Sequence, residues 1–379
     1  MLGKDYTGLF VAARRLLIAD VAGATYRGTI VSGDVVGNDT VVVMLMDSGV
    51  DIPDVSDQLC LVGDSTSWAI PTNPTGLGGG SFLKIGEYGG NQQIMAVGPG
   101  NAIATSIDGG ITWVTSTAGA GNITGMYFAS NNRWYFTGFR EIGYSTDGGL
   151  TWTIGAWTLY YNYATQPELY DISEWSGWLV VADSYNDELA YTINYDLIAN
   201  WSRVSPTNSN WAKKLFKRAY DGKLTWTCDR TQATYGYIYG LGYQASDILS
   251  GVRTNTGYTG QLKGMIDMGG GGMLLYWADG SLSRRNDMVF PGSVFDTVTS
   301  PFVGTAINGA AHNPGTNVTV IVGDGGKIGY STDFGVTWDL AANNFGLTNI
   351  ADVIYLPYTS EFLALGADGS TAKSSTGYT

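Results

Sequence analysis

The sequence predicts an all-β fold made of small repeated sheets, with a short α+β module ahead of them. Three observations predict it: an octapeptide that occurs three times, seven short apolar runs, and a composition rich in turn formers and aromatics. The chain has 379 residues, of which 54 are glycine, 24 tyrosine and 12 tryptophan; 14% are charged and 44% hydrophobic. Aromatic strands joined by glycine turns need that mixture, and it is apolar enough to bury a large core. Such a length exceeds what one ordinary core fills but suits a radially repeated one.

The octapeptides are SIDGGITW, STDGGLTW and STDFGVTW, and all fit S-x-D-x-G-x-T-W. Their fixed positions are Ser106, Asp108, Gly110, Thr112 and Trp113; Ser145, Asp147, Gly149, Thr151 and Trp152; and Ser331, Asp333, Gly335, Thr337 and Trp338. Short polar side chains such as Ser and Asp bond the backbone of a turn. The glycine supplies a turn position where φ is positive. Thr and Trp then lead into a strand, where β-branched and aromatic residues fit a half-buried pleat. Each octapeptide is therefore expected to be a structural β-hairpin.

This pattern resembles the Asp-box, or bacterial neuraminidase repeat, of sialidases, xyloglucan-cleaving glycosidases, sortilin-type receptors and photosystem II assembly factors. The resemblance implies a β-propeller with the boxes at its periphery, away from any substrate site. It implies fold and not function.

Spacing extends the repeat. Trp113 to Trp152 is 39 residues, Trp152 to Trp201 is 49, and Trp201 to Trp338 is 137, about three units at the roughly 40–50-residue period of four-stranded blades. Degraded boxes fit the gaps: TINYDLIANW ending at Trp201, QASDILSGV (Gln244 to Val252) and SRRNDMVFPGSVF (Ser283 to Phe295). The apolar runs QIMAVG, RWYFTG, WLVVAD, YGYIYG, MLLYWAD, VTVIVG and FLALGAD precede the boxes and read as inner-to-middle strands. Seven units result. The last stops inside its box at Thr379, whereas DSTSWAIPT (Asp64 to Thr72) looks like the missing second half. The prediction is a seven-bladed β-propeller over 64–379, its ring closed by the strand that carries Trp68, which leaves no exposed sheet edge there.

Residues 1–63 carry no box. Leu9, Phe10, Ala13, Leu16 and Leu17 recur at helical spacing, with Asp5 or Thr7 as a cap. The strand-like runs YRGTIV and DTVVVMLM and the stretch QLCLVG follow. A piece this small barely buries a core alone, so it is expected to serve as an anchoring or adaptor module.

Charge and rare residues exclude several classes. Twenty basic against 33 acidic residues give −13, and no basic run is present, which disfavours nucleic-acid binding and docking on anionic membranes. Cys60 and Cys228 are the only cysteines and His312 the only histidine, so a zinc cluster, a disulfide framework and a Ser/His/Asp triad are not expected. No cofactor and no metal are expected. GGGG at 269–272 and GGG at 78–80 lack a following Lys-Ser/Thr and read as loop glycines. Arg14 and Arg15 interrupt the leading apolar stretch, so no cleaved export signal is read, and no stretch has the length of a membrane span.

Catalysis has weak candidates. A sialidase needs an arginine cluster; Arg133, Arg140, Arg203, Arg218, Arg230, Arg253, Arg284 and Arg285 are available, but the Arg-Ile-Pro signature of that family is absent. A glycosidase needs two opposed carboxylates. Asp171, Asp267 and Asp352 fall in segments that read as innermost strands and would line the channel, where aspartates also serve simply as solvated groups. Trp157, Tyr160, Tyr161 and Tyr163 form an aromatic stretch that either packs between blades or contacts a glycan or protein partner.

The reading is a non-enzymatic structural and interaction protein of a larger assembly. An acidic, lysine-poor, Gly/Tyr/Trp-rich chain with a short leading module is similar to bacteriophage virion proteins, whose tail, collar and receptor-binding components share that layout. The partners are then other virion subunits, or a host cell-surface glycan or protein. The alternative is a glycan-binding module or an Asp-box glycoside hydrolase working at the channel.

Overall fold

A computed structural model of the chain describes residue 68 and residues 75–378, apart from 120, 140, 157–168, 176, 184–188, 193–200, 205–211, 218–223, 229–236, 241–251, 256–260, 271, 286–294 and 343–344; of 15–19, 25–36, 39–46, 156, 183, 202–204, 212–213, 225–228, 237–240 and 252–255 it describes the backbone. The chain divides into two compact units, Met1–Thr66 and Ser67–Thr379.

In the first unit, β1 (Arg15–Ala19), β2 (Thr25–Val36) and β3 (Asp39–Met46) form a three-stranded antiparallel sheet in that order. Arg15, Leu16 and Leu17 lie in β1, paired with Thr29, Gly28 and Arg27. This corrects the helical reading at Leu16 and Leu17; Leu9, Phe10 and Ala13 lie outside the described residues. The contiguous run RLLIA finds a hairpin partner in TYRGT, and cross-strand pairing outweighs a helical signal only a few residues long. Cys60 and the expected cap lie outside the described residues.

The second unit holds seven antiparallel sheets among the described residues. Sheet 1 is β4 (Phe82–Tyr88), β5 (Asn91–Val97), β6 (Ala102–Ser106) and β7 (Val114–Thr117). Sheet 2 is β8 (Ile123–Ala129), β9 (Arg133–Gly138), β10 (Glu141–Ser145) and β11 (Thr153–Ala156). Sheet 3 is β12 (Leu169–Trp175), β13 (Trp178–Asp183), β14 (Leu189–Thr192) and β15 (Ser202–Val204). Sheet 4 is β16 (Ala212–Lys217), β17 (Leu224–Cys228), β18 (Tyr237–Gly240) and β19 (Val252–Asn255). Sheet 5 is β20 (Leu262–Gly269), β21 (Gly272–Trp277), β22 (Leu282–Arg285) and β23 (Asp296–Val298). Sheet 6 is β24 (Ile307–Asn313), β25 (Val318–Gly323), β26 (Ile328–Ser331) and β27 (Asp339–Leu340). Sheet 7 has three strands, β28 (Ile350–Leu356), β29 (Glu361–Gly366) and β30 (Thr371–Ser374).

Each sheet is a meander, and its first strand packs against the first strand of the next. The contacts run from β4 through β8, β12, β16, β20 and β24 to β28, and β28 packs against β4. Apolar cores sit between neighbouring sheets. Ile94, Ala96 and Ala104 of sheet 1, for example, meet Leu356, Leu363 and Leu365 of sheet 7. Second strands therefore read as continuous apolar runs: Ile94 to Val97 and Val320 to Val322 are wholly buried, because both faces of the strand meet a neighbour. Six of the seven apolar runs are second strands. The exception is YGYIYG, whose Tyr237–Gly240 is the third strand of its sheet, because LTWTC takes the second place.

Trp68 is fully buried in the core between sheets 6 and 7, with Val320, Phe362 and Ala372. Its indole N–H donates to the carbonyl of Gly377 at 3.3 Å. Residues 69–74, which would carry the rest of the expected closing strand, lie outside the described residues.

Candidate functional site

The three octapeptides join third and fourth strands, at the outer side of sheets 1, 2 and 6. In the first, Ser106 Oγ accepts from the N–H of Gly110 at 2.8 Å and donates to Asp108 Oδ1 at 2.8 Å. Asp108 in turn accepts from the N–H groups of Ile111 and Thr112, each at 2.9 Å, and from the Thr112 hydroxyl. The same network recurs around Asp147 and Asp333. Gly110, Gly149 and Gly335 have φ of +87°, +88° and +76°, a region open to glycine at no steric cost. Burial works against ionisation of the three carboxyls, but the Thr and Ser hydroxyls and the backbone N–H groups outweigh it and hold their pKa below the usual value.

The tryptophans differ. Trp113 and Trp338 donate to the carbonyls of Gly110 and Gly335 at 3.0 and 3.1 Å. At the second turn the Ser116 hydroxyl of the neighbouring sheet takes the Gly149 carbonyl at 2.8 Å. The Trp152 indole N–H has no partner among the described residues, and its ring packs edge-on against Phe136. The degraded boxes fall largely on 193–200, 241–251 and 286–294, and Trp157, Tyr160, Tyr161 and Tyr163 fall on 157–168; both lie outside the described residues.

The first strands of all seven sheets line one cavity of about 1080 Å³. Its walls carry two sets of charges with opposite circumstances. The carboxylates of Asp171, Asp267 and Asp352 are engaged. Asp171 on β12 accepts from the N–H of Leu215 on β16 at 3.0 Å and from Ile172 at 3.0 Å. Asp352 on β28 accepts from Leu83 on β4 at 2.9 Å and from Val353 at 2.8 Å. Both thus clasp one sheet to the next. Each also rests on a glycine of the preceding sheet: a Cβ at Gly125 would lie 2.7 Å from Asp171 Oδ1, and one at Gly309 would lie 2.5 Å from Asp352 Oδ1. Asp267 caps its hairpin, accepting from Gly269 at 2.7 Å.

Burial pushes the Asp352 carboxyl up, with the Leu83 N–H and the Lys84 ammonium acting the other way. His312 also lines the cavity. Its Nδ1 lies 2.9 Å from Thr319 Oγ1, its Nε2 has no partner among the described residues, and burial lowers its pKa against the pull of Asp267.

Lys84 and Lys214 act on the Asp352 carboxyl only through space, both favouring its ionised form. Lys84 on β4, Lys214 and Lys217 on β16, and Lys263 on β20 line the cavity, and none has a hydrogen bond or ion pair among the described residues. Lys84 and Lys214 lie with their ammoniums 6.0 and 5.7 Å from the centre of the Phe82 ring. The sequence reading singled out the aspartates and overlooked these lysines. The only available signal was that AKKLFK and QLKGMID place a cation inside a first strand. Among the described residues no group of three or more His, Cys, Asp or Glu could hold a metal ion, and no helix is long and apolar enough to cross a membrane.

No protein-family model matches the chain, and no curated protein matches it in sequence. Solved structures do. YCF48 from Cyanidioschyzon merolae superposes with a TM-score of 0.64 at 17% identity, over 81% of this chain and 98% of that one. YCF48 bound to D1 peptide gives 0.59 at 16%, over 81% and 94%. The β-propeller domain of Myceliophteria thermophila Cps50 (Swd1) gives 0.59 at 8%, over 81% and 98%. At these identities the likeness shows the fold, a β-propeller, and nothing of its use.

Proposed function

We propose that the chain is a non-enzymatic interaction propeller of a larger assembly, and that it receives its ligand in the central cavity of a seven-bladed ring. The observation that carries this reading is the contrast between the two sets of charges. Carboxylates that hold backbone N–H groups of a neighbouring sheet are structural, and a glycosidase pair must instead be free to protonate a leaving group and to attack or activate water. Lysines with no ion pair among the described residues, two of them beside the Phe82 ring, suit a recognition surface. A YCF48 structure holds a D1 peptide, which supports protein recognition as a use of this fold. The octapeptides serve as Asp-box hairpins that stabilise the rim, and 1–63 serves as the adaptor. Composition supports placing the assembly in a bacteriophage virion, with other subunits or a host surface molecule as partners.

The test is lysine acetylation footprinting of the chain alone and within the assembly from which it is isolated. Protection of Lys84, Lys214, Lys217 and Lys263, with the peripheral Lys373 unchanged, is expected. Hydrolysis of an oligosaccharide that is lost on Asp267→Asn would replace this reading with the hydrolase.

A further inference from the structure

We propose that Lys84 and Lys214 form an anion-binding pair at the waist of the central cavity, selecting a ligand with two or more carboxylate or phosphate groups. The inference rests on the cavity being the binding site. Lys84 belongs to sheet 1 and Lys214 to sheet 4, whose first strands are not neighbours in the cycle of contacts. The two ammoniums nevertheless converge on one ring, that of Phe82, within 6.0 Å of its centre. Lys214 therefore reaches across the lumen.

Two ammoniums 6.0 and 5.7 Å from one ring centre lie within about 12 Å of each other and repel, and the ring offsets only part of that cost. Asp352 draws on both lysines, but its carboxyl already accepts from Leu83 and Val353, and burial disfavours its ionised form. An anion lodged between the two lysines offsets the repulsion and supplies acceptors for six ammonium N–H bonds that have none among the described residues. A neutral donor lines the same cavity. The ring of Tyr276, on β21, passes over Gly264, where a Cβ would lie 2.2 Å from the Tyr276 hydroxyl oxygen, and so reaches the cavity wall. That hydroxyl makes no hydrogen bond among the described residues, and burial beside Asp352 keeps it protonated. Lys217 and Lys263, on neighbouring first strands, extend the cationic wall, so a ligand with several anionic groups gains over one with a single group.

Ammonium groups are point charges that accept either anion geometry, so the two arms of the test separate the sources. Citrate and tripolyphosphate are each titrated calorimetrically into the full chain, the Lys84→Gln and Lys214→Gln variants, and Lys373→Gln as a peripheral control. One-to-one binding of one of the two probes is expected, weakened at least about tenfold by either cavity variant, as loss of a charge-assisted pair requires, and unchanged in the control. The probe that binds more tightly identifies the group as carboxylate or phosphate. In the unmodified chain, the bound probe slows acetylation of Lys84 and Lys214 and not of Lys373, a readout that needs no variant to fold. Absence of binding by both probes at millimolar concentration, or binding indifferent to both variants, overturns the proposal. Protection of the four lysines in the assembly without anion binding would sink this inference and leave the proposed function standing. Anion binding without that protection would do the reverse.

Discussion

The indole N–H of Trp68 donates to the carbonyl of Gly377 across 309 positions of sequence. The bond repeats what Trp113 does to Gly110 and Trp338 does to Gly335 within single octapeptides. Part of the turn repeats as well. Ser374 Oγ accepts from the N–H of Gly377 at 2.8 Å, as Ser106 accepts from Gly110, and Gly377 has φ of +86°, but glycine follows serine by three residues and not four, and Thr376 stands where the octapeptides have aspartate. Serine and glycine come from one end of the chain and tryptophan from the other. Trp68→Ala is expected to cost about 3–5 kcal/mol, the usual loss for a wholly buried aromatic. Trp68→Phe, which keeps most of the packing and loses the bond, should cost far less. Chemical denaturation of both variants checks the order.

Asp147 accepts from Ser145, Leu150 and Thr151 in a largely exposed turn. Asp147→Ala should destabilise by about 1–2 kcal/mol through these lost bonds, leaving anion binding in the cavity unaltered. The lowered pKa of Asp108, Asp147 and Asp333 fixes the sign of the pH effect. Their folded-state pKa lies below the unfolded one, so they stabilise the fold above about pH 4 and lose that contribution as pH falls further. A triple Asp→Asn variant should show a flatter acid limb in thermal melts.

His312 is the chain's one histidine, the side-chain type whose ordinary titration falls between about pH 7 and pH 5. Burial lowers its folded-state pKa, with Asp267 opposing. The fold is therefore favoured above the unfolded value and loses that advantage as pH falls through it towards the folded value. Melting temperature should drop over that interval, and His312→Gln should remove most of the drop.

Gly309 and Gly125 leave room for the clasping aspartates. An alanine at 309 would place its Cβ 2.9 Å from the Cα of Asp352 as well as 2.5 Å from its carboxylate. Gly309→Ala is expected to cost about 1–3 kcal/mol, the range for overpacking, and urea denaturation measures it.

Much of the fold was legible because its periodic parts are local. Ser106 through Trp113 form a turn whose bonds all fall within a few residues, and the run Ile94 to Val97 is apolar throughout because both faces of β5 meet neighbours. Asp171, Asp267 and Asp352 lie on first strands. Their engagement was not legible, since the N–H groups of Leu215 and Leu83 come from other sheets. Lys84 and Lys214 were missed for the same reason. They lie far apart in sequence, and only the ring brings both to Phe82. The β1 strand was misread as helix because Leu16 and Leu17 fit both periods, and the hairpin with Tyr26 and Arg27 decided between them.

The most direct test of a ring shut between sheets 7 and 1 is residue-resolved hydrogen exchange at three sites. The Leu83 amide bonds the Asp352 carboxylate of sheet 7, the Leu215 amide bonds Asp171 in the same way inside the ring, and the Trp68 indole N–H bonds Gly377. A closed ring predicts that Leu83 and Trp68 exchange as slowly as Leu215, by the same cooperative opening. Rapid exchange at Leu83 and Trp68, with Leu215 still protected, would contradict it.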